Sequence, residues 1–228
     1  MISLLLACRK DSKFLAKFLL TFMVNTSNFS NVELLILTPP GGTWNKELLT
    51  YFKDRVKVID DDTDLGRGGG HVFYDILAKE AKGDWLWYLC DDHYLMPDYD
   101  QIMVDFIKAY NLDPNKLNVI APAVDNSGRI SHILSRKFYE TVGFGPQGNV
   151  DSCLNDTLEY LELIVGKEEH DKVLHLPLHP VMHDFSLDKD LFKNVGKFDE
   201  QYEINLFKSQ EIRDKIHDNA KKLAEVLK

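Results

Sequence analysis

The chain has 228 residues, with 44% hydrophobic and 28% charged residues and a formal net charge of −9. That length is enough to bury a sizeable core, and 11% aromatic residues exclude a disordered chain. The acidic balance, with no basic run to neutralise phosphates along a strand, excludes nucleic acid as the main partner.

Ile2–Cys8 is a run of apolar and small residues, the pattern of a strand covered on both faces. It is short, has no basic flank before it and meets charge at Arg9, so a buried strand is expected rather than a signal peptide. No stretch approaches the roughly 18 apolar residues of a membrane span. The three cysteines, Cys8, Cys90 and Cys153, are widely separated and form no C-x-x-C pair, which argues against a zinc ribbon or a disulfide framework. A reducing, cytoplasmic setting is expected. Ser12 to Val24 has helical spacing, with Phe14, Leu15, Phe18, Leu19 and Phe22 on one face. Val32–Leu37 reads as a second strand, stopped by Pro39-Pro40-Gly41-Gly42, and Val56–Ile59 as a third. Val72–Lys82 reads as a helix ending near Gly83, and Trp85–Leu89 as a fourth strand running into Asp91-Asp92-His93. This alternation over about the first 100 residues predicts an α/β fold with a mostly parallel sheet flanked by helices. In such sheets ligands gather at the carboxyl ends of the strands.

The second half is less regular. Gln101–Tyr110 reads as helix, Asn118–Ala121 as strand, Ser135–Glu140 as a short helix and Asp156–Val165 as a longer one. Val173–Leu178 has the look of a late strand, and Ser209–Lys228 is a charged helix with Ile212, Ile216, Leu223 and Leu227 near one face. No linker is long enough to split the chain, so one domain over 1–228 is expected, with a helical tail from about 191.

The most informative segment is Trp85-Leu86-Trp87-Tyr88-Leu89-Cys90-Asp91-Asp92-His93, where an apolar strand ends in two adjacent carboxylates. Neighbouring anions repel, so a compensating charge is expected, and a hard divalent cation with oxygen ligands supplies it. A solvated turn or helix cap is the structural alternative. Gly66-Arg67-Gly68-Gly69-Gly70-His71 precedes a helix. Glycines such as Gly68 let backbone approach a ligand, a helix N-terminus favours phosphate, and Arg67 adds charge-assisted bonds. His71 stands where the third glycine of a dinucleotide fingerprint belongs, so that match fails.

Ala81-Lys82-Gly83-Asp84-Trp85 followed by Asp91-Asp92-His93-Tyr94-Leu95-Met96-Pro97 resembles the DXD-type motif of GT-A glycosyltransferases, especially family 2 and its small viral and bacterial relatives. The resemblance spans roughly residues 1 to 185. It implies a Rossmann-like GT-A fold, with residues 1–100 as the nucleotide-sugar half and 101–190 as the acceptor half. It implies that Asp92 holds Mn2+ or Mg2+, that Asp91 contacts the donor ribose or the metal, and that Arg9 lines the nucleotide pocket. The chain departs from the family at Leu37-Thr38-Pro39-Pro40, where many members carry an Asp that helps bind the base. A UDP-sugar is the first expectation for the donor, and the acceptor, whether glycan, lipid-linked or protein, is left open.

An inverting sugar transfer needs a general base within hydrogen-bond reach of the acceptor hydroxyl. Arg136 to Phe144 resembles the family's arginine, aromatic, Val-Gly-Phe element, after which an acid opens a helix. On that match Asp151 is the base candidate and Asp156 the second, while helix capping is the structural role open to Asp151. Val195-Gly196-Lys197-Phe198-Asp199-Glu200 also resembles the family's Val-Gly-Gly-Phe-Asp-Glu, with Glu211 as the later acid, so an acid near Glu200 or Glu211 is the alternative base. The first region is preferred because a histidine-rich strand follows it. Histidines stand at 170, 175, 179 and 183, and the resemblance implies that one of them completes the metal shell, His179 first and His183 second. Imidazole suits manganese better than magnesium. A zinc hydrolase is disfavoured by Pro180 and by the lack of Glu at the H-E-x-x-H position. Two other readings compete: a sugar nucleotidyltransferase, which would need glycines around Arg9-Lys10-Asp11, and a non-catalytic module that binds sugar or a partner.

Overall fold

The computed structural model describes residues 1–8, 12–38, 55–60, 70–122, 131–146, 150–175, 180–183 and 210–228. A seven-stranded sheet has the order β3-β2-β1-β4-β7-β6-β8. Its strands are β1 (Ile2–Ala7), β2 (Val32–Thr38), β3 (Val56–Asp60), β4 (Trp85–Cys90), β6 (Val119–Ile120), β7 (Ile133–Ser135) and β8 (Leu174–His175). The first four in spatial order are parallel. β7 runs antiparallel to both β4 and β6, and β8 is parallel to β6. A two-stranded ribbon pairs β5 (His93–Leu95) with β9 (Val181–His183). The helices are α1 (Ser12–Asn25), α2 (Gly70–Glu80), α3 (Tyr99–Ala109), α4 (Arg136–Val142), α5 (Val150–Val165), α6 (Lys167–His170) and α7 (Gln210–Leu227).

The central strands are apolar on both faces because both faces are covered. Leu4, Leu6, Leu34, Ile36, Trp85, Trp87 and Leu89 pack with Phe18 and Phe22 of α1 and Tyr99 and Met103 of α3. The alternate residues Leu5, Leu35, Leu37, Leu86 and Tyr88 pack in a second core with α2, α4, α5 and α7. Each such side chain, fully buried, stabilises by roughly 1.5–3 kcal/mol. The expected alternation of strand and helix is thus present.

The elements differ from the sequence reading in two places. The long helix starts at Val150 rather than Asp156, because Val150, Cys153, Leu154 and Leu158 are all buried at helical spacing despite the polar residues between them. Asp151 therefore lies in its first turn. The late strand is described only over Leu174–His175, and 176–179 lie outside the described residues. β5, β7 and β9, three residues each, were not anticipated. The expected C-terminal helix is present over Gln210–Leu227, and its Ala220, Leu223 and Ala224 join the second core. Among the described residues no helix is long and apolar enough to cross a membrane.

Polar ties secure the ends at which the parallel strands begin. Glu33 Oε1 accepts from Ser3 Oγ (2.5 Å) and from the backbone N–H groups of Lys82 (2.5 Å) and Gly83 (3.0 Å). A Cβ at Gly83 would collide with Ser3 Oγ and with the backbone of Met1 and Ser3, so only glycine fits there. Arg136 donates from Nη1 to Ala78 O (3.2 Å) and from Nη2 to Ala81 O (3.1 Å) and Gly83 O, tying the end of α2 to the start of α4. The fully buried Asp100 accepts from the N–H groups of Ser27 (2.8 Å) and Asn28 (2.9 Å) and from Asn31 Nδ2 (3.0 Å). Asp100→Ala strands three donors beside the turn that leads into β2. It is expected to cost about 2–3 kcal/mol, read as a lower urea midpoint, while a surface control such as Asp105→Ala stays within about 0.5 kcal/mol.

Candidate metal and nucleotide site

β4 lies between β1 and β7, so its six apolar residues are shielded on every side until it ends at Cys90. The next three residues stay buried although they are polar: Asp91 is 2% exposed, Asp92 5% and His93 7%. The parallel register brings the ends of the neighbouring strands to the same edge. Ala7 is level with Cys90 and with Leu37, and Thr38 is level with Asp60. Thr38 Oγ1 lies 3.3 Å from Asp60 Oδ1, so β3 adds a carboxylate that the sequence reading did not single out. Its signal was the switch from an apolar strand to Asp60-Asp61-Asp62.

Cys90, Asp92 and His93 each present one ligand atom within 4.8 Å of the others. The Cys90 N–H donates to His93 Nδ1 at 3.2 Å. From α2, the Tyr74 hydroxyl donates to Leu89 O at 2.9 Å, which seats the first turns of that helix against the end of β4. The β5–β9 pairing sets His183 opposite His93 in register, and Met96 N–H donates to Pro180 O at 3.0 Å. The backbone of His183 is thereby set beside the carboxylate turn. Asp92, Asp91 and the His183 position are brought together. Arg9, Arg67, Gly68 and His179 lie outside the described residues, as does the stretch 195–200.

The other sequence candidates fall elsewhere. His170 sits buried beside Glu162 (3.8 Å) and Asp171 (3.5 Å), and His175 Nε2 bonds Asn118 Oδ1 at 3.0 Å, with burial holding the His175 imidazole below its usual range. Both are structural contacts. Asp156 lines a groove between α5 and α7 with Glu159, Tyr160 and Arg213, where burial first and the Glu159 charge second raise its carboxyl above the ordinary range. Glu211 is exposed and pairs with Lys215 at 2.7 Å, and that contact holds its carboxyl low. Asp151 is placed by its backbone at the start of α5.

Three partly or fully buried polar groups, His132, His71 and Asp75, carry shifted acidities. His132 is fully buried and its Nδ1 meets the Tyr88 hydroxyl at 2.9 Å. Burial pushes its imidazole down to about 4, against a smaller opposing effect of the Asn155 side chain on α5. On α2, burial lowers His71 and raises Asp75, which also interacts with Tyr139.

No family model and no curated protein matches this chain. Solved structures do. S. aureus TarS 1–349 in complex with UDP superposes with a TM-score of 0.61 at 11% identity, over 84% of this chain and 62% of that one. The same TarS fragment in complex with UDP-GlcNAc gives 0.58 at 10% identity, over 79% and 57%. The mannosyltransferase PcManGT from Pyrobaculum calidifontis, in complex with GDP-Man and Mn2+, gives 0.55 at 9% identity, over 78% and 56%. This chain spans less than two thirds of each of these structures. At such identities the likeness is one of fold, and that fold is the GT-A fold of glycosyltransferases.

His132 makes a pH prediction. Its folded-state value of about 4 lies below the ordinary 6.5, so the unfolded chain takes up the proton first. Its contribution is complete above pH ~6.5 and is lost as pH falls toward ~4, by about 3 kcal/mol in all. Urea titrations at pH 7, 5 and 4 should show the wild type losing more stability on acidification than His132→Gln. The other shifted groups are common to both proteins and cancel in the comparison.

Proposed function

We propose that this chain is a metal-dependent glycosyltransferase that moves a sugar from a nucleotide-diphosphate sugar to an acceptor hydroxyl, with inversion. The carrying observation is the buried Asp91–Asp92 pair at the carboxyl end of β4 in a GT-A sheet, with β9 aligned beside it. The complexes of TarS with UDP and UDP-GlcNAc, and of PcManGT with GDP-Man and Mn2+, support a nucleotide-sugar donor and a divalent cation. The donor set at the turn fits such a cation, since a carboxylate, an imidazole and a thiol converge there. Asp92 and Asp91 hold Mn2+ or Mg2+, completed by His179 or His183. Arg9 and Arg67, with the backbone around Gly68, bind the donor, for which UDP is the first choice of nucleotide. The bound cation supplies neutralisation of the diphosphate leaving group.

The protein's own part is positioning and proton transfer. The Asp151 carboxylate takes the proton of the acceptor hydroxyl as its oxygen bonds to the sugar C1 and the bond from C1 to the diphosphate breaks. Asp156 is the second choice for this role, and its place in the α5–α7 groove supports it less well. The chain acts as one domain, in a cytoplasmic setting.

Calorimetry with UDP, GDP, CDP and dTDP, with and without Mn2+, tests the donor site. One diphosphate should bind only with metal, and Asp92→Ala should abolish that binding. A wild type that binds none of them under any condition would sink the transferase reading in favour of a non-catalytic module. Asp151→Asn should reduce turnover by about 10²–10⁴ while donor affinity stays within about twofold of wild type. Asp156→Asn should lower turnover far less, and the reverse ranking would exchange the two roles.

A further inference from the structure

The strand that delivers the carboxylates ends on a thiol. Cys90 is half-buried, its sulfur is 3.9 Å from the Tyr74 hydroxyl, and it belongs to the Cys90, Asp92, His93 group. Among the described residues that is the only set of three or more His, Cys, Asp or Glu side chains whose ligand atoms converge within 4.8 Å. A divalent ion about 2.0–2.3 Å from its oxygen, nitrogen and sulfur ligands holds them up to roughly 4.5 Å apart, so small side-chain rotations bring the Cys90 sulfur and an Asp92 oxygen onto one ion. The three ligands come from positions i, i+2 and i+3 of one turn, whose backbone is held by β1 and β7 before it and by the β5–β9 ribbon after it.

We infer that Cys90 is a direct sulfur ligand of the cation bound at this turn, and that the site therefore prefers borderline metals such as Zn2+ and Co2+ to Mg2+. The inference rests on the metal-dependent reading above and adds a ligand that a pair of carboxylates does not imply. Coordination breaks the S–H bond, releases that proton to solvent and forms the metal–thiolate bond, so uptake of metal is proton-linked. Thiolate and imidazole favour Zn2+ and Co2+, whereas Mg2+ favours carboxylate and water. Cys90 and Asp92 are the stronger pair, because His93 Nδ1 already accepts the Cys90 N–H and the neutral ring then carries its proton on Nε2. The imidazole joins the shell only by turning over.

Cobalt tests this directly on the full chain, without any sugar transfer. Visible d–d bands report bound Co2+, and a near-ultraviolet thiolate-to-cobalt charge-transfer band reports sulfur in its shell. Both are expected in the wild type and in Cys8→Ser and Cys153→Ser. In Cys90→Ser, with an unchanged circular dichroism spectrum, the charge-transfer band should vanish while the d–d bands persist. The preference for Zn2+ over Mg2+ should then fall at least about tenfold, since even outer-shell partners contribute that much to metal affinity. Visible bands without the charge-transfer band, or a band that survives Cys90→Ser, would remove Cys90 from the shell and leave the metal site standing. No cobalt spectrum at all would overturn both the ligand and the metal reading.

Discussion

Two carboxylates buried at the tip of an apolar strand set the terms for everything around them. Asp91 and Asp92 are nearly inaccessible to water, yet they are adjacent and of like charge. Burial penalises the charged form of each, and mutual repulsion penalises having both ionised. β4 accepts that burden because β1 and β7 flank it and both faces of the sheet are covered, so the strand has no exposed edge through which to bring its end into solvent. The arrangement is stable with both groups ionised only if positive charge or strong donors are brought to the same place. On the metal-dependent reading proposed above a divalent cation supplies that charge, and the ribbon that carries His183 pairs beside the same turn.

The opposite edge of the sheet behaves differently. Where the strands begin, Glu33, Ser3, Gly83, Arg136 and Asp100 tie backbone segments together with bonds that leave little room for substitution. The carboxyl edge instead gathers the buried polar residues Asp91, Asp92 and His93. Arg136, part of the element that resembles a family signature, braces the end of α2 through three backbone carbonyls. His170 lies beside Glu162 and Asp171, and His175 meets Asn118.

Much of this was legible in the sequence because it follows from periodicity. β1, β2 and β4 are unbroken apolar runs, α1 has a clear apolar face, and the abrupt change from Leu89 to Asp91 and Asp92 marks the site. What was not legible depends on partners distant in the chain. β5, β7 and β9 are three residues long, too short to show a period, and exist because a neighbour pairs with them. The start of α5 was hidden because Ser152, Asn155 and Asp156 interrupt the apolar pattern by composition, although Val150, Cys153 and Leu154 continue it by angle. Cys90 carries no sequence signal of its own for a similar reason: the groups beside it are a carboxylate and an imidazole across a turn rather than a second cysteine.

The C-terminal helix has a consequence for how the protein is made. α7 supplies Ala220, Leu223 and Ala224 to the core built by β1, β2 and β4 with α2, α4 and α5, and so covers a surface whose other members are translated far earlier. During synthesis, the sheet and its first helices leave the ribosome with that face bare until residues 210–227 follow. The nascent chain therefore passes through a long interval in which Phe138, Leu158 and Leu161 have lost part of their shelter, and chaperone binding would be concentrated there. Vectorial folding from the N-terminus can assemble the sheet, but cooperative closure of this side waits on α7.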